Sequence, residues 1–143
     1  MRTIKFRGKR IDTGEFVYGD LIHRNDGDVA IYTNLDTWGE NPDDVDAYGD
    51  SFRVANSTVG QFTGLHDKNG RDIYEGDIIC RKGLKIKHLI FYNEKQGRFM
   101  AALNGDTEDE DWCCGLDNNR WISSKEVIGN IHDNPELLKQ QEL

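Results

Sequence analysis

Apolar and polar residues alternate in short runs along this chain, the period-2 pattern of half-buried strands. Ile4, Phe6 and Ile11 mark a strand over Thr3–Ile11. Asp12-Thr13-Gly14 is a turn signal, and Phe16, Val17 and Tyr18 sit in a return strand over Glu15–Ile22. Asn25-Asp26-Gly27-Asp28 is a second turn and Val29–Thr33 a third strand, so a short antiparallel meander is expected. The pattern breaks from Asn34 to Asp50, where Gly39, Pro42, Gly49 and six carboxylates interrupt any period. That stretch reads as a long acidic surface loop or insertion, with room for one helical turn at Asn41-Pro42.

Phe52–Val54 is a short strand ahead of a glycine-rich stretch, Thr58–Ile79. Its Gly60, Gly64, Gly70 and Gly76 fit neither G-x-G-x-x-G nor the Walker pattern, so they read as turn formers rather than a phosphate loop. Asn69-Gly70 predicts a two-residue type I′ hairpin with arms Leu65–Asp67 and Arg71–Ile73. A second strand series follows: Ile78–Arg81, Leu84–Tyr92, Arg98–Leu103, a weaker member at Trp121-Ile122, and Glu126–Ile131. Five short strands in succession predict a small SH3-like barrel, whose closure hides sheet edges. At the C-terminus Asn134 can cap, Pro135 suits a first helical position and Glu136 complements the dipole, so a short helix is expected. The expected class is mostly β (β-rich α+β): an N-terminal β-rich part over 1–74, and a barrel with its helix over 75–143.

Composition narrows the functional classes. The chain has 143 residues, enough to bury roughly 68–70% of its unfolded surface without disulfides or metals. Only 36% of residues are hydrophobic and 31% are charged, so three Trp, five Tyr and six Phe must supply much of the buried area. No apolar run is long enough to span a bilayer, and Met1–Arg7 carries charge without an apolar signal core. Three cysteines, two of them adjacent, make a poor disulfide framework, so reduced thiols and a cytoplasmic setting are expected. Net charge is −8 but is segregated. The first ten residues hold five basic groups and no acid; Arg81–Arg98 holds six basic groups against one acid. Glu40–Asp50 and Asp106–Asp111 hold five carboxylates each. Such a molecule repels nucleic acid at long range, while local basic patches still attract it.

With the segments in order, Ile4–Lys9, Gly14–Gly19, Thr58–Ile79, Val127–Ile131 and Asn134–Leu138 together resemble the YopX family of phage and prophage proteins. Asn34–Asp50 and Asp106–Arg120 fit least. The resemblance implies a C-terminal SH3-like barrel, a small N-terminal β-rich part and a phage or prophage origin, with a bacterial host cytoplasm as location. It brings no catalytic residues.

Several groupings invite chemistry. Asp67, Asp72, Glu75 and Asp77 are the densest acidic cluster of the matched region, and paired carboxylates can hold a divalent cation or share a proton. An EF-hand starting at Asp67 fails: Arg71 falls on the fifth position, Asp72 on the sixth where Gly is needed, and Ile78 on the twelfth where Glu is needed. The favoured reading is that Asp67 and Asp72 flank a turn and Asp77 bonds backbone N–H groups beside Gly76. His66 has no second His or Cys at ligand spacing and reads as a polar residue beside a turn; His88 alternates with Ile86 and Ile90 and reads as facing the core. Adjacent Cys113 and Cys114 cannot easily reach one tetrahedral metal ion, and their upstream neighbours Glu108–Asp111 raise a thiol pKa and so disfavour a nucleophile.

The basic runs carry the strongest functional signal. Lys5, Arg7 and Lys9 share one face if their strand alternates, and Lys85 and Lys87 share another. Two classes are therefore expected ahead of catalysis. The first is a non-enzymatic binding module that docks onto a protein partner or onto itself, needing no cofactor or metal. The alternative is nucleic-acid binding through the basic strand faces. A metal-assisted hydrolase built on Asp67–Asp77 with His66 is the third.

Overall fold

In the computed structural model, residues 2–33, 50–117 and 119–139 are described. The acidic loop expected over 34–50 lies outside them, apart from Asp50, which opens a strand. The chain divides into two compact units, Met1–Phe62 and Thr63–Leu143.

The first unit is an antiparallel sheet. Its strands are β1 (Phe6–Lys9), β2 (Phe16–His23), β3 (Val29–Thr33), β4 (Asp50–Val54) and the start of β5 (Gly60–His66). They pair in the order β4-β3-β2-β1-β5. The register sets Val17, Leu21, Ile31 and Val54 on one face, where Val29, Ile31 and Val54 form a buried core with Phe6, Val17, Leu21 and Val59 packed against it. The opposite face carries Lys5, Arg7 and Lys9.

The second unit begins with the rest of β5, which leads into β6 (Asp72–Tyr74). A five-stranded antiparallel sheet follows, in the order β10-β9-β8-β7-β11: β7 (Asp77–Cys80), β8 (Lys87–Asn93), β9 (Arg98–Leu103), β10 (Cys113–Gly115) and β11 (Glu126–Asn130). Ile73, Ile79, Ile90, Ala101, Ile122 and Val127 form its buried core, with Leu65, Leu116 and Trp121 packed around them. Ile128 is the extra residue of a bulge between Val127 and Gly129, where β11 steps along β7.

Four expectations need correction. Trp121-Ile122 is not a strand but part of the short helix α1 (Asn119–Ser123), which drops Ile122 fully into the core. The short C-terminal helix is present as a 3-10 turn, Pro135–Leu138, with proline at its start, but Asn134 does not cap it; its Oδ1 instead accepts from the N–H of Asn130 at 3.3 Å. The Asn69-Gly70 hairpin is not type I′, because Gly70 alone takes positive φ (+80°) there. Asp67 N–H donates to Arg71 O (2.8 Å) and Gly70 N–H to Asp67 O (3.0 Å), a three-residue connection with the glycine in the left-handed position. Gly64 and Gly76 are also left-handed, at +85° and +93°, whereas Gly60 is an ordinary extended residue paired with Arg7.

Candidate interaction surfaces

The predicted polar cluster separates on inspection into structural parts. Asp67 is 6% exposed, and its Oδ1 accepts from the N–H groups of Asn69 and Arg71 while Oδ2 accepts from that of Val127. Asp77 is 2% exposed, and its Oδ2 accepts from Tyr74 N–H at 2.7 Å. A carboxylate bonded to backbone N–H groups in this way closes a turn and has its lone pairs engaged. His66 Nε2 sits 3.0 Å from Asp72 at an exposed position, and Glu75 is half-buried. Among the described residues, no group of three or more His, Cys, Asp or Glu could hold a metal ion.

The thiols sit in surroundings that keep them protonated. Burial first, then Asp106, pushes the Cys113 thiol up; burial first, then Asp117, does the same for Cys114. The sequence pattern missed that these two residues form β10, which pairs Cys113 with Ala102 and Cys114 with Ala101. Three residues are too few to show a period.

The two halves of the predicted basic surface differ in kind. On the first unit, Lys5 Nζ lies 4.7 Å from the Phe62 ring centroid, Arg7 Cζ 4.6 Å from that of Phe16, and Lys9 Nζ 5.4 Å from the same Phe16 ring. Alternation puts the three cations on one face, as expected, and cross-strand pairing puts Phe16 opposite Lys9. Each cation is thereby packed on a ring, and Arg7 is only 4% exposed. This ladder holds the sheet face together.

On the second unit the basic residues project. Residues Arg81–Lys87 run Arg-Lys-Gly-Leu-Lys-Ile-Lys, four cations and no acid. The expected strand Leu84–Tyr92 begins only at Lys87, because β7 ends at Cys80, its pairing partner. Lys85 therefore lies on a loop, and the strand face proposed for Lys85 and Lys87 is not formed. Arg81 to Ile86 are all exposed, including the aliphatic Leu84 (48%) and Ile86 (53%). The base of this tip is fixed: Leu84 N–H donates to Arg81 O at 3.0 Å, and the Cys80 thiol donates to Leu84 O at 3.0 Å. The expectation of a strand from Leu84, with Ile86 on its core side, fails here, and the signal against it is Lys82-Gly83, whose glycine is left-handed at +84°.

The family model described as YopX protein matches residues 5–139. The chain belongs to the YopX family. The crystal structure of protein EF1440 from Enterococcus faecalis is similar to it at a TM-score of 0.57 and 25% identity, covering 97% of this chain and all 100% of that one. No curated protein matches. The match takes in both the central hairpin and the tip. Among the described residues, no helix of this family member is long and apolar enough to cross a membrane.

Proposed function

We propose that this YopX family member is a phage or prophage accessory protein that works as a non-enzymatic binding module, its SH3-like five-stranded unit presenting Arg81–Lys87 to an acidic protein surface. One observation carries this reading: a firmly rooted loop exposes three cations and two aliphatic side chains together, with half-buried Lys87 at its edge. Exposed aliphatics flanked by charge favour a contact that buries apolar area and pairs charge at once. The structural use of Asp67 and Asp77 supports a scaffold at the position where a hydrolytic centre would otherwise have been sought.

The same four cations favour a second reading, phosphate contacts to nucleic acid. Fluorescence anisotropy separates the two. Labelled poly-glutamate peptide and labelled DNA and RNA oligonucleotides are titrated with the full chain and with the variant Lys82→Glu/Lys85→Glu/Lys87→Glu. The first reading expects peptide binding that the variant loses. Tip-dependent oligonucleotide binding with a steep negative salt slope would give the second; binding of no probe would overturn both.

A further inference from the structure

We propose that the basic tip docks onto the acidic loop Asp106–Trp112 of a second copy of this chain, so that two molecules pair about a two-fold axis. The proposal rests on the tip-docking reading and names its partner.

Both surfaces belong to the second unit and complement each other in charge and in apolar content. The tip carries Arg81, Lys82, Lys85 and Lys87; the loop carries Asp106, Glu108, Asp109, Glu110 and Asp111. The tip exposes Leu84 and Ile86, and the loop ends in Trp112, 52% exposed. The loop is also rooted. Asp106 Oδ1 accepts from the N–H groups of Glu108 and Asp109, and Asp109 Oδ1 from that of Asp111. Glu108, Glu110 and Asp111 are left exposed.

Within one chain the two surfaces do not satisfy each other: among the described residues no ion pair joins them. They nevertheless start from neighbouring points. Leu103 stands opposite His88, and Asn104 N–H donates to Lys87 O at 2.9 Å, so the acidic loop leaves β9 beside the root of the tip. Neighbouring patches of opposite charge suit an isologous contact, in which the tip of each copy meets the loop of the other and every pairing occurs twice. Trp112 then covers Leu84 and Ile86, and its ring can receive a lysine cation.

Sedimentation velocity of the full chain tests this. Dimer is expected at about 0.05 M salt and should weaken at least about tenfold by about 0.5 M, as screening shortens the reach of the charges. The tip variant Lys82→Glu/Lys85→Glu/Lys87→Glu and a loop variant Glu108→Lys/Glu110→Lys/Asp111→Lys should each be monomeric, with unchanged circular dichroism. Their equimolar mixture should recover the dimer, since one is acidic and the other basic on both surfaces. A monomeric wild type, a dimer indifferent to either charge reversal, or a mixture that stays monomeric would overturn the proposal. If the wild type is monomeric yet binds poly-glutamate through the tip, only the second-copy assignment falls. If it binds neither, the docking reading falls as well.

Discussion

Asp67 Oδ2 accepts a hydrogen bond from the backbone N–H of Val127 at 3.0 Å, across 60 positions of sequence. One buried side chain thus closes the hairpin after β5, through Asn69 and Arg71, and latches it to β11. Burial pushes this carboxyl upward, but the N–H groups of Val127, Arg71 and Asn69, with the Arg71 charge, outweigh it and hold the group below its ordinary value of 3.8.

Replacing Asp67 by Ala strands three backbone donors and should cost about 3 kcal/mol in urea unfolding. Because the folded carboxyl titrates below the unfolded one, its stabilisation is present above about pH 4 and is lost as pH falls through the folded value. Asp67→Asn keeps an acceptor oxygen but cannot titrate. It should be less stable than the wild type near neutrality and should show a flatter loss of stability on acidification.

His88 behaves differently. It packs edge-on against Trp121, ring centroids 5.0 Å apart, and its buried Nδ1 has no hydrogen-bond partner among the described residues. Burial first, then the Lys125 charge, lowers its pKa from 6.5 to about 4. Between those values the unfolded state binds the extra proton, so the stability contributed by neutral His88 is full above pH 6.5 and declines as pH falls toward 4. His88→Phe keeps an aromatic edge against Trp121 and should remove this decline, measured as the difference in urea midpoint between pH about 7 and about 5.

At Gly19 the constraint is space. Its φ is +156°, and a Cβ there would stand 1.9 Å from the carbonyl oxygen of Tyr32 on β3. That oxygen is backbone and cannot swing aside, so Gly19→Ala must push β2 away from β3. A loss of more than about 3 kcal/mol, or failure to fold, is expected in thermal unfolding.

The fold was legible where side chains alternate over five or more residues. Val29–Thr33 was placed to the residue because the β-branched Val29, Ile31 and Thr33 mark every second position, and Arg98–Leu103 because an apolar run opens directly after the turn at Gly97. Short elements left no such trace. Cys113–Gly115 has no period, and the adjacent apolar pair Trp121-Ile122 fits a strand or a helical turn equally well. Asn69-Gly70 announced a hairpin, but its type was decided by the Asp67 carboxylate two residues upstream, a tertiary choice tied to Val127. Charge flagged Lys85 and Lys87. The tip itself was hidden because Leu84 and Ile86 look like core residues, and only the end of β7 at Cys80 leaves them in solvent.

That exposure gives a direct consequence. Leu84→Ser/Ile86→Ser removes two solvent-exposed aliphatics, so the unfolding free energy should stay within the range of ordinary surface changes, about 0.5 kcal/mol. Binding of poly-glutamate by the same variant should weaken clearly, as measured by anisotropy. Unchanged binding would mean that charge alone serves the contact.

Amide chemical-shift mapping on the full chain tests the docking surface most directly. With unlabelled poly-glutamate added to isotope-labelled protein, the shifts should concentrate on Arg81–Lys87 and their root at Cys80 and Asn104. Shifts centred on His66–Asp77, or none at the tip, would contradict the assignment of this surface.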